Sequence, residues 1–177
     1  MVFKELPLRG AFVIEIEPQE DQRGFFARTF CGQEFAAHGL ETRISQCSIS
    51  SNVRRGTLRG MHWQADPHAE EKLVRCTRGA LYDVIVDLRR DSSTRGRWAA
   101  LELSQDNHRM LYLPKGLAHG FQTLADDTEV LYQISIPYHP DAARGIRWDD
   151  PSISIDWPDV SERIISERDR NLPLFEH

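Results

Sequence analysis

Cysteine is scarce in this chain and odd in number. Cys31, Cys47 and Cys76 are the only three in 177 residues, and none stands at the short spacing of a metal-binding pair. A fully paired disulfide framework is thereby excluded, and free thiols in a reducing compartment are the simplest expectation. No window is apolar over the ~20 residues that a membrane span needs, and the opening MVFKELPLRG holds no long apolar run. Positive charge is not in excess either. Against 27 Asp and Glu stand 22 Lys and Arg, a net charge of −5, which argues against nucleic acid or an anionic membrane as the main partner while leaving room for a local arginine cluster. Repeats and low-complexity tracts are missing, and no composition shift marks a domain boundary. The expectation is a soluble cytoplasmic protein forming one domain over residues 1–177, long enough to bury a proper core.

Helical periodicity is also rare. One short helix is expected over Gln33–His38, stopped by Gly39. Strand patterns fill most of the remainder. FVIEIE over Phe12–Glu17 alternates as a half-buried strand does, Pro18–Gly24 reads as a loop, and FFARTF over Phe25–Phe30 reads as a further strand. From Arg43 the segments RISQCSIS, TLRGMHW, KLVRCT, ALYDVIVDL, RWAALELS, RMLYLP, GFQTL and TEVLYQISI follow in quick succession, most bounded by Gly, Pro, Asn, Asp or Ser. Many short strands with regular turns mean an all-β sandwich or barrel. Pro137 ends the last of these strands, and Ile146–Trp157 is turn-rich. Residues 160–167 read as a strand or loose coil, DRNLPLF as an ordered tail rather than a helix, and the segment from about residue 146 onward as packing on the barrel.

Two stretches carry the chemistry: GTLRGMHWQADPHAEEK, Gly56–Lys72, and PKGLAH, Pro114–His119. Metal-binding cupins, which are small jelly-roll β-barrels, have one motif G-x5-H-x-H-x3,4-E and a second P-x-G-x2-H. Pro114, Gly116 and His119 complete the second motif, and Gly56 and His62 sit correctly for the first. Gln64 replaces the other histidine, and His68 and Ala69 stand where the glutamate belongs. Two histidines are too few for a divalent transition metal. The chain resembles a cupin-type jelly roll, all-β with a few short helices, whose metal site has decayed, so that side chains must supply any chemistry. Strand parity poses a question at its centre. In a regular strand Arg59 and His62 face opposite ways. A bulge at Gly60 would bring both inside; otherwise Arg59 sits outside.

Taken in order, Asp21-Gln22-Arg23-Gly24-Phe25-Phe26, GTLRGMHWQ, KLV, YDVIVDLR, LPKGLAHGF, VLYQIS, GIRWDDP and Ser166-Glu167-Arg168-Asp169 resemble the nucleotide-sugar 3,5-epimerases typified by dTDP-4-dehydrorhamnose 3,5-epimerase. The resemblance spans nearly the whole chain, and the order of motifs is more specific than any one of them. It implies a homodimeric jelly roll free of cofactor and metal, acting on a nucleotide sugar. His62 then resembles the base, Asp169 the carboxylate that orients it, Lys72 the cation beside the sugar's O4, and Tyr132 the acid on the opposite face. Arg23, Arg59, His119 and Arg168 resemble diphosphate or sugar contacts, with Arg23 reaching across the dimer, and Phe26 and Tyr138 resemble a grip on the base.

The chain departs from the family pattern in places. Gln46 and Ser48 match a Gln-x-Asn segment with serine for asparagine, and the following loop is one residue longer. Arg28 stands where the thymidine enzymes have glutamate. A carboxylate accepts from thymine N3–H whereas arginine only donates, so a cytosine or guanine ring is also open if that position touches the base. Taken without the resemblance, each residue has a plainer reading. A lone strand histidine is more often structural, Tyr132 among Val130, Leu131 and Ile134 reads as core, Lys72 beside Glu70 and Glu71 as a solvated face, and Asp169 as surface charge. Asp83 or Asp87 can equally partner a histidine, and the four tryptophans read as packing. The leading function is epimerisation at C3 and C5 of a nucleotide-linked 4-keto-6-deoxyhexose. The alternatives are a one-carbon epimerase or ketoisomerase on a dTDP-, CDP- or GDP-sugar, and a catalytically silent sugar-nucleotide binding cupin. A metal-dependent cupin is disfavoured by Gln64 and Ala69.

Overall fold

Period-two alternation sorts the strand residues onto two sheets and their two faces. The computed structural model describes residues 1–176. In chain order its elements are β1 (Val2–Glu5), β2 (Phe12–Glu15), β3 (Gln19–Asp21), β4 (Gly24–Phe26), α1 (Gly32–Ala37), β5 (Gln46–Asn52), β6 (Leu58–Gln64) and β7 (Lys72–Arg78). They continue with β8 (Ala80–Asp87), β9 (Trp98–Ser104), β10 (Met110–Leu113), β11 (Leu117–Thr123), β12 (Thr128–Ile134), β13 (Ala143–Gly145) and α2 (Glu167–Arg170). One antiparallel sheet runs β1-β2-β10-β7-β12-β5 and the other β13-β6-β11-β8-β9, the jelly-roll arrangement that the resemblance implies; β3 and β4 form a separate ribbon. No helix among the described residues is long and apolar enough to cross a membrane.

The β8 sequence shows how the layers arise. Leu81 and Ile85 point between the sheets and pack with Val74, Leu111, Phe121 and Val130. Val84 and Val86, on the other face, meet Ile146, Ile153 and Trp157 of the C-terminal segment. Both faces are covered, so this strand reads as a nearly continuous apolar run rather than an amphipathic one. Trp63, Trp98, Trp148 and Trp157 all belong to that outer cluster, as packing residues do. On the other sheet, Phe35 of α1 closes a third cluster with Ile14, Leu73, Met110 and Tyr112.

Several boundaries differ from the sequence reading, for local reasons. The stretch read as a loop over 18–24 contains β3, and the strand expected over Phe25–Phe30 ends at Phe26, because the chain folds back as a ribbon about Arg23, whose N–H donates to Asp21 Oδ1 at 2.8 Å. The segment expected as a strand or coil over 160–167 pairs only at Ile164, which bridges Thr57 in parallel. Only Asp169 and Arg170, the first two residues of the tail read as non-helical, are helical: they end α2, where Ser166 Oγ accepts the Asp169 N–H at 3.1 Å and caps one turn. The short strands β1 and β13 were not evident in the pattern. β11 begins at Leu117, within the Pro114–His119 motif, and not at Gly120 where the strand GFQTL was expected to start.

The bulge question is answered at Gly60. His119 pairs with His62 and Phe121 with Arg59, so β6 spends one residue more than β11 over the same interval. Leu58, Met61 and Trp63 consequently face the outer cluster while Arg59 and His62 share the inner face. Only glycine fits here: Gly60 has φ +136°, and a Cβ on it would lie 2.5 Å from the Gly120 Cα. Gly60→Ala is expected to lower stability by about 2–4 kcal/mol in urea unfolding. A variant unfolding within about 0.5 kcal/mol of the parent would show that the bulge tolerates a side chain.

Candidate active site

A hollow of about 410 Å³ opens between the two sheets at one end of the barrel. From the five-stranded sheet it receives Arg59, His62, His119 and Phe121, and from the six-stranded sheet Ser48, Ser50, Lys72, Tyr132 and Ile134. Ser166, Arg168 and Asp169 close it from the C-terminal turn. His62 and Tyr132 thus reach the same space from opposed walls. A side annex of about 200 Å³ shares His62, Lys72 and Arg168 with the hollow and adds Glu70, Arg144 and Tyr138.

The His62 Nε2 lies 2.8 Å from Asp169 Oδ1. If Nε2 carries the proton and donates to Asp169, the Nδ1 lone pair is left for a base. The Asp169 side chain is 7% exposed and also accepts the Gly60 N–H at 3.3 Å. Burial pushes its carboxyl upward, but the His62 hydrogen bond, with His62, Gly60 and Arg168 all favouring negative charge, brings it below the ordinary value of 3.8. Plain surface charge is therefore not what Asp169 is. Lys72 is not on a solvated face either: its side chain is 14% exposed and its Nζ lies 2.8 Å from Glu70 Oε1. Tyr132 packs edge-on to His119 at 5.9 Å, and burial, with the Asp83 carboxylate adding to it, holds the phenol protonated well above the ordinary tyrosine range. His119 Nε2 lies 2.5 Å from Asp83 Oδ1, both being buried, and the other Asp83 oxygen is buried without a partner. Of the two carboxylates considered as histidine partners, Asp83 is one. Asp87 instead accepts from Arg89, Ser92 and Thr94, and these bonds bring it down to about 2 against the upward push of burial.

The remaining expected residues divide by position. Arg59 donates from Nε to Asn52 Oδ1 at 2.8 Å at the rim. Gln46 accepts the Tyr138 N–H at 2.7 Å, and Tyr138, 55% exposed, stands at the annex mouth. Three lie away from the hollow of their own chain. Arg23 is ion-paired with Asp21 on the ribbon, Phe26 beside it is 77% exposed, and Arg28 donates from Nη1 to Glu34 at 2.9 Å. Gln64, at the decayed ligand position, is buried and structural: it donates toward the His68 and Pro137 carbonyls and accepts the His139 N–H. Among the described residues no three His, Cys, Asp or Glu side chains are grouped to hold a metal ion. Sequence reasoning missed Glu70, Ser50, Ser166 and Arg144, and it named Asp83 as a histidine partner without naming His119 as the histidine. For Ser166 a signal existed, a Ser-x-x-Asp cap, and for Asp83 an acid within an apolar strand; Glu70 gave none.

Comparison with known proteins shows the family. The model of the dTDP-4-dehydrorhamnose 3,5-epimerase family matches residues 5–177. The chain belongs to this family. A curated dTDP-4-dehydrorhamnose 3,5-epimerase of Methanothermobacter thermautotrophicus is 47% identical over 178 residues, covering 99% of this chain and 95% of that one. The crystal structure of the Bacillus anthracis dTDP-4-dehydrorhamnose 3,5-epimerase, with TDP and pyrophosphate bound, is similar at a TM-score of 0.93 and 40% identity, covering 98% and 100% of the two chains. A 3′-monoepimerase of Streptomyces bikiniensis in complex with dTDP-quinovose is similar at a TM-score of 0.89 and 35% identity, covering 96% and 85%.

Within this family member, the Asp169 carboxyl offers a test by pH. A carboxyl depressed by folding contributes stability that is full above its unfolded value and lost as pH falls through its folded value. The stability difference between the protein and Asp169→Asn in urea is therefore expected to shrink between about pH 5 and pH 2. A difference constant over that range would mean that the charge of Asp169 does not contribute.

Proposed function

We propose that the protein epimerises dTDP-4-dehydro-6-deoxy-D-glucose at C3 and C5 to give dTDP-4-dehydro-L-rhamnose, using side chains alone. The observation that carries this reading is the convergence of His62, Lys72 and Tyr132 on one hollow from two opposed sheets. Hydrogens on C3 and C5 are acidic only because the C4 carbonyl takes up the charge as an enolate. With a gap of about a dozen pKa units, unaided transfer to an imidazole is uphill by ~16 kcal/mol. His62, oriented by Asp169, is assigned the proton abstraction, and the Lys72 ammonium the stabilisation of the oxygen on C4. Inversion requires that the new proton arrive from the other face. Tyr132 is assigned that delivery, since its environment keeps the phenol protonated.

For the rest of the substrate, Arg59, Arg168 and His119 at the hollow are assigned to sugar and diphosphate, and Tyr138 at the annex to the base, with Ser48 and Gln46 on the strand beside it. Thymidine is the favoured nucleotide. Arg28 is tied to Glu34 rather than free to read a base edge, and the Bacillus anthracis relative holds TDP. A homodimer accounts for the residues that the chain does not use itself: Arg23 and Phe26 stand exposed on the ribbon, and edge strand β5 shows Ile49 at 62% exposure. A cytoplasmic setting is consistent with three free cysteines.

The likeness to a 3′-monoepimerase favours a second reading, inversion at one carbon only. Incubation of dTDP-4-keto-6-deoxyglucose in heavy water, followed by NMR, separates the two. Deuterium at both C3 and C5 is expected; label at one carbon establishes the monoepimerase, and no label with retained dTDP binding establishes a silent binder. His62→Ala is expected to slow exchange by about 100-fold or more while leaving dTDP affinity nearly unchanged. In light scattering the mass is expected at twice the chain's 20.4 kDa.

A further inference from the structure

Glu70 and Glu71 both precede Lys72 in sequence, but only Glu70 turns toward it. Glu71 is occupied elsewhere: its Oε2 accepts the Ser135 hydroxyl at 2.6 Å, its N–H donates to Ser135 Oγ, and Lys115 lies 3.4 Å from its Oε1. Glu70 is 9% exposed at the side chain and holds Lys72 Nζ at 2.8 Å on the wall of the annex. Among the described residues it is the only carboxylate lining that annex.

An ammonium has three N–H donors on a flexible four-carbon stem, and only a fixed acceptor confines it to one place. We propose that Glu70 is a positioning residue for the reaction, a carboxylate that holds the Lys72 ammonium at the cavity wall with its other N–H groups turned to the oxygen on C4. The inference rests on the role assigned to Lys72 above. Its consequence is discrimination between ground and transition states. A neutral ketone competes poorly with Glu70 for the ammonium, whereas an enolate oxygen competes well, so the interaction strengthens as charge develops and raises kcat more than it tightens binding. Because the enolate oxygen on C4 is common to proton loss at C3 and at C5, displacing Lys72 slows both exchanges alike.

The test uses the full chain and five proteins: parent, Glu70→Gln, Lys72→Ala, the double variant, and Glu70→Asp as the conservative replacement. Parent exchange in heavy water is measured first. Its absence would overturn the epimerase reading itself, a result distinct from any failure of Glu70. With an active parent, Glu70→Gln is expected to lower kcat by about 10- to 100-fold, equally at C3 and C5. The dTDP dissociation constant is expected to stay within about twofold, and Glu70→Asp is expected to recover part of the rate. In the Lys72→Ala background the same change is expected to alter the residual rate by less than about twofold. A Glu70→Gln variant that keeps its kcat, slows one carbon only, or loses as much rate without Lys72 as with it would overturn the proposal. So would a loss confined to dTDP affinity.

Discussion

Ionic groups placed inside an apolar barrel must be paired, and that constraint organises this site. Removing one partner of a buried pair leaves an uncompensated charge, typically at a cost of about 3–5 kcal/mol. Three carboxylates meet the demand here, each beside a group that bears or accepts a proton: Asp169 at His62, Glu70 at Lys72 and Asp83 at His119. They come from three different parts of the chain, the capped turn α2, the segment before β7, and the inward face of β8. None of the three groups is held by neighbours on its own strand. For His62 and His119 the barrel works as a frame on which separate elements present acid and base in fixed pairs, whereas Glu70 reaches Lys72 from two residues earlier in the same segment.

Gly60 makes the frame usable. With an unbroken β6 that kept His62 inward, Arg59 would turn into the outer cluster beside Met61 and Trp63. The extra residue opposite Gly120 changes the parity once, between Arg59 and His62, and the freed Gly60 N–H turns to Asp169. One local irregularity thereby places a guanidinium and an imidazole on the same wall and helps to fix the carboxylate behind the imidazole. The close approach of Gly60 to Gly120 explains why both strands carry glycine there.

Much of this was legible in the chain and the remainder has identifiable causes. Strand patterning gave the all-β class because most strands are bounded by turn residues, and glycine in LRGMH marked the bulge because parity left Arg59 and His62 incompatible without one. Replacement of a cupin ligand by Gln64 was readable as a decayed motif, although not that its amide would serve the 137–139 backbone. The ribbon β3-β4 escaped because EDQRG carries the composition of a loop; its pairing depends on a turn about Arg23 rather than on apolar alternation. Glu70 escaped for a different reason. An acidic pair beside a lysine has the same pattern whether solvated or enclosed, and only the path of the chain between β6 and β7 turns one carboxylate inward. Asp169 sits on a one-turn helix too short for periodicity to register, where a single serine cap decides the outcome.

On the proposed assignment, the arrangement also explains how one cavity serves two carbons. C3 and C5 flank C4, so a single ammonium at the C4 oxygen stabilises the enolate formed by loss of either proton, and the site needs one electrostatic anchor rather than two. Base and acid stand on opposed sheets, which fixes the faces of the sugar from which protons leave and arrive. What then distinguishes a two-carbon from a one-carbon epimerase is the freedom of the ring between those walls, not a second set of catalytic groups. That freedom is bounded by Ile134 and Phe121 at the hollow's apolar surface and by Ser48 and Ser50 on the edge strand. The serines leave more room than larger polar residues on the same strand face would. On the same assignment, the packing around the ring is what is left to separate the two reactions, and the charge pairs serve the chemistry that both share.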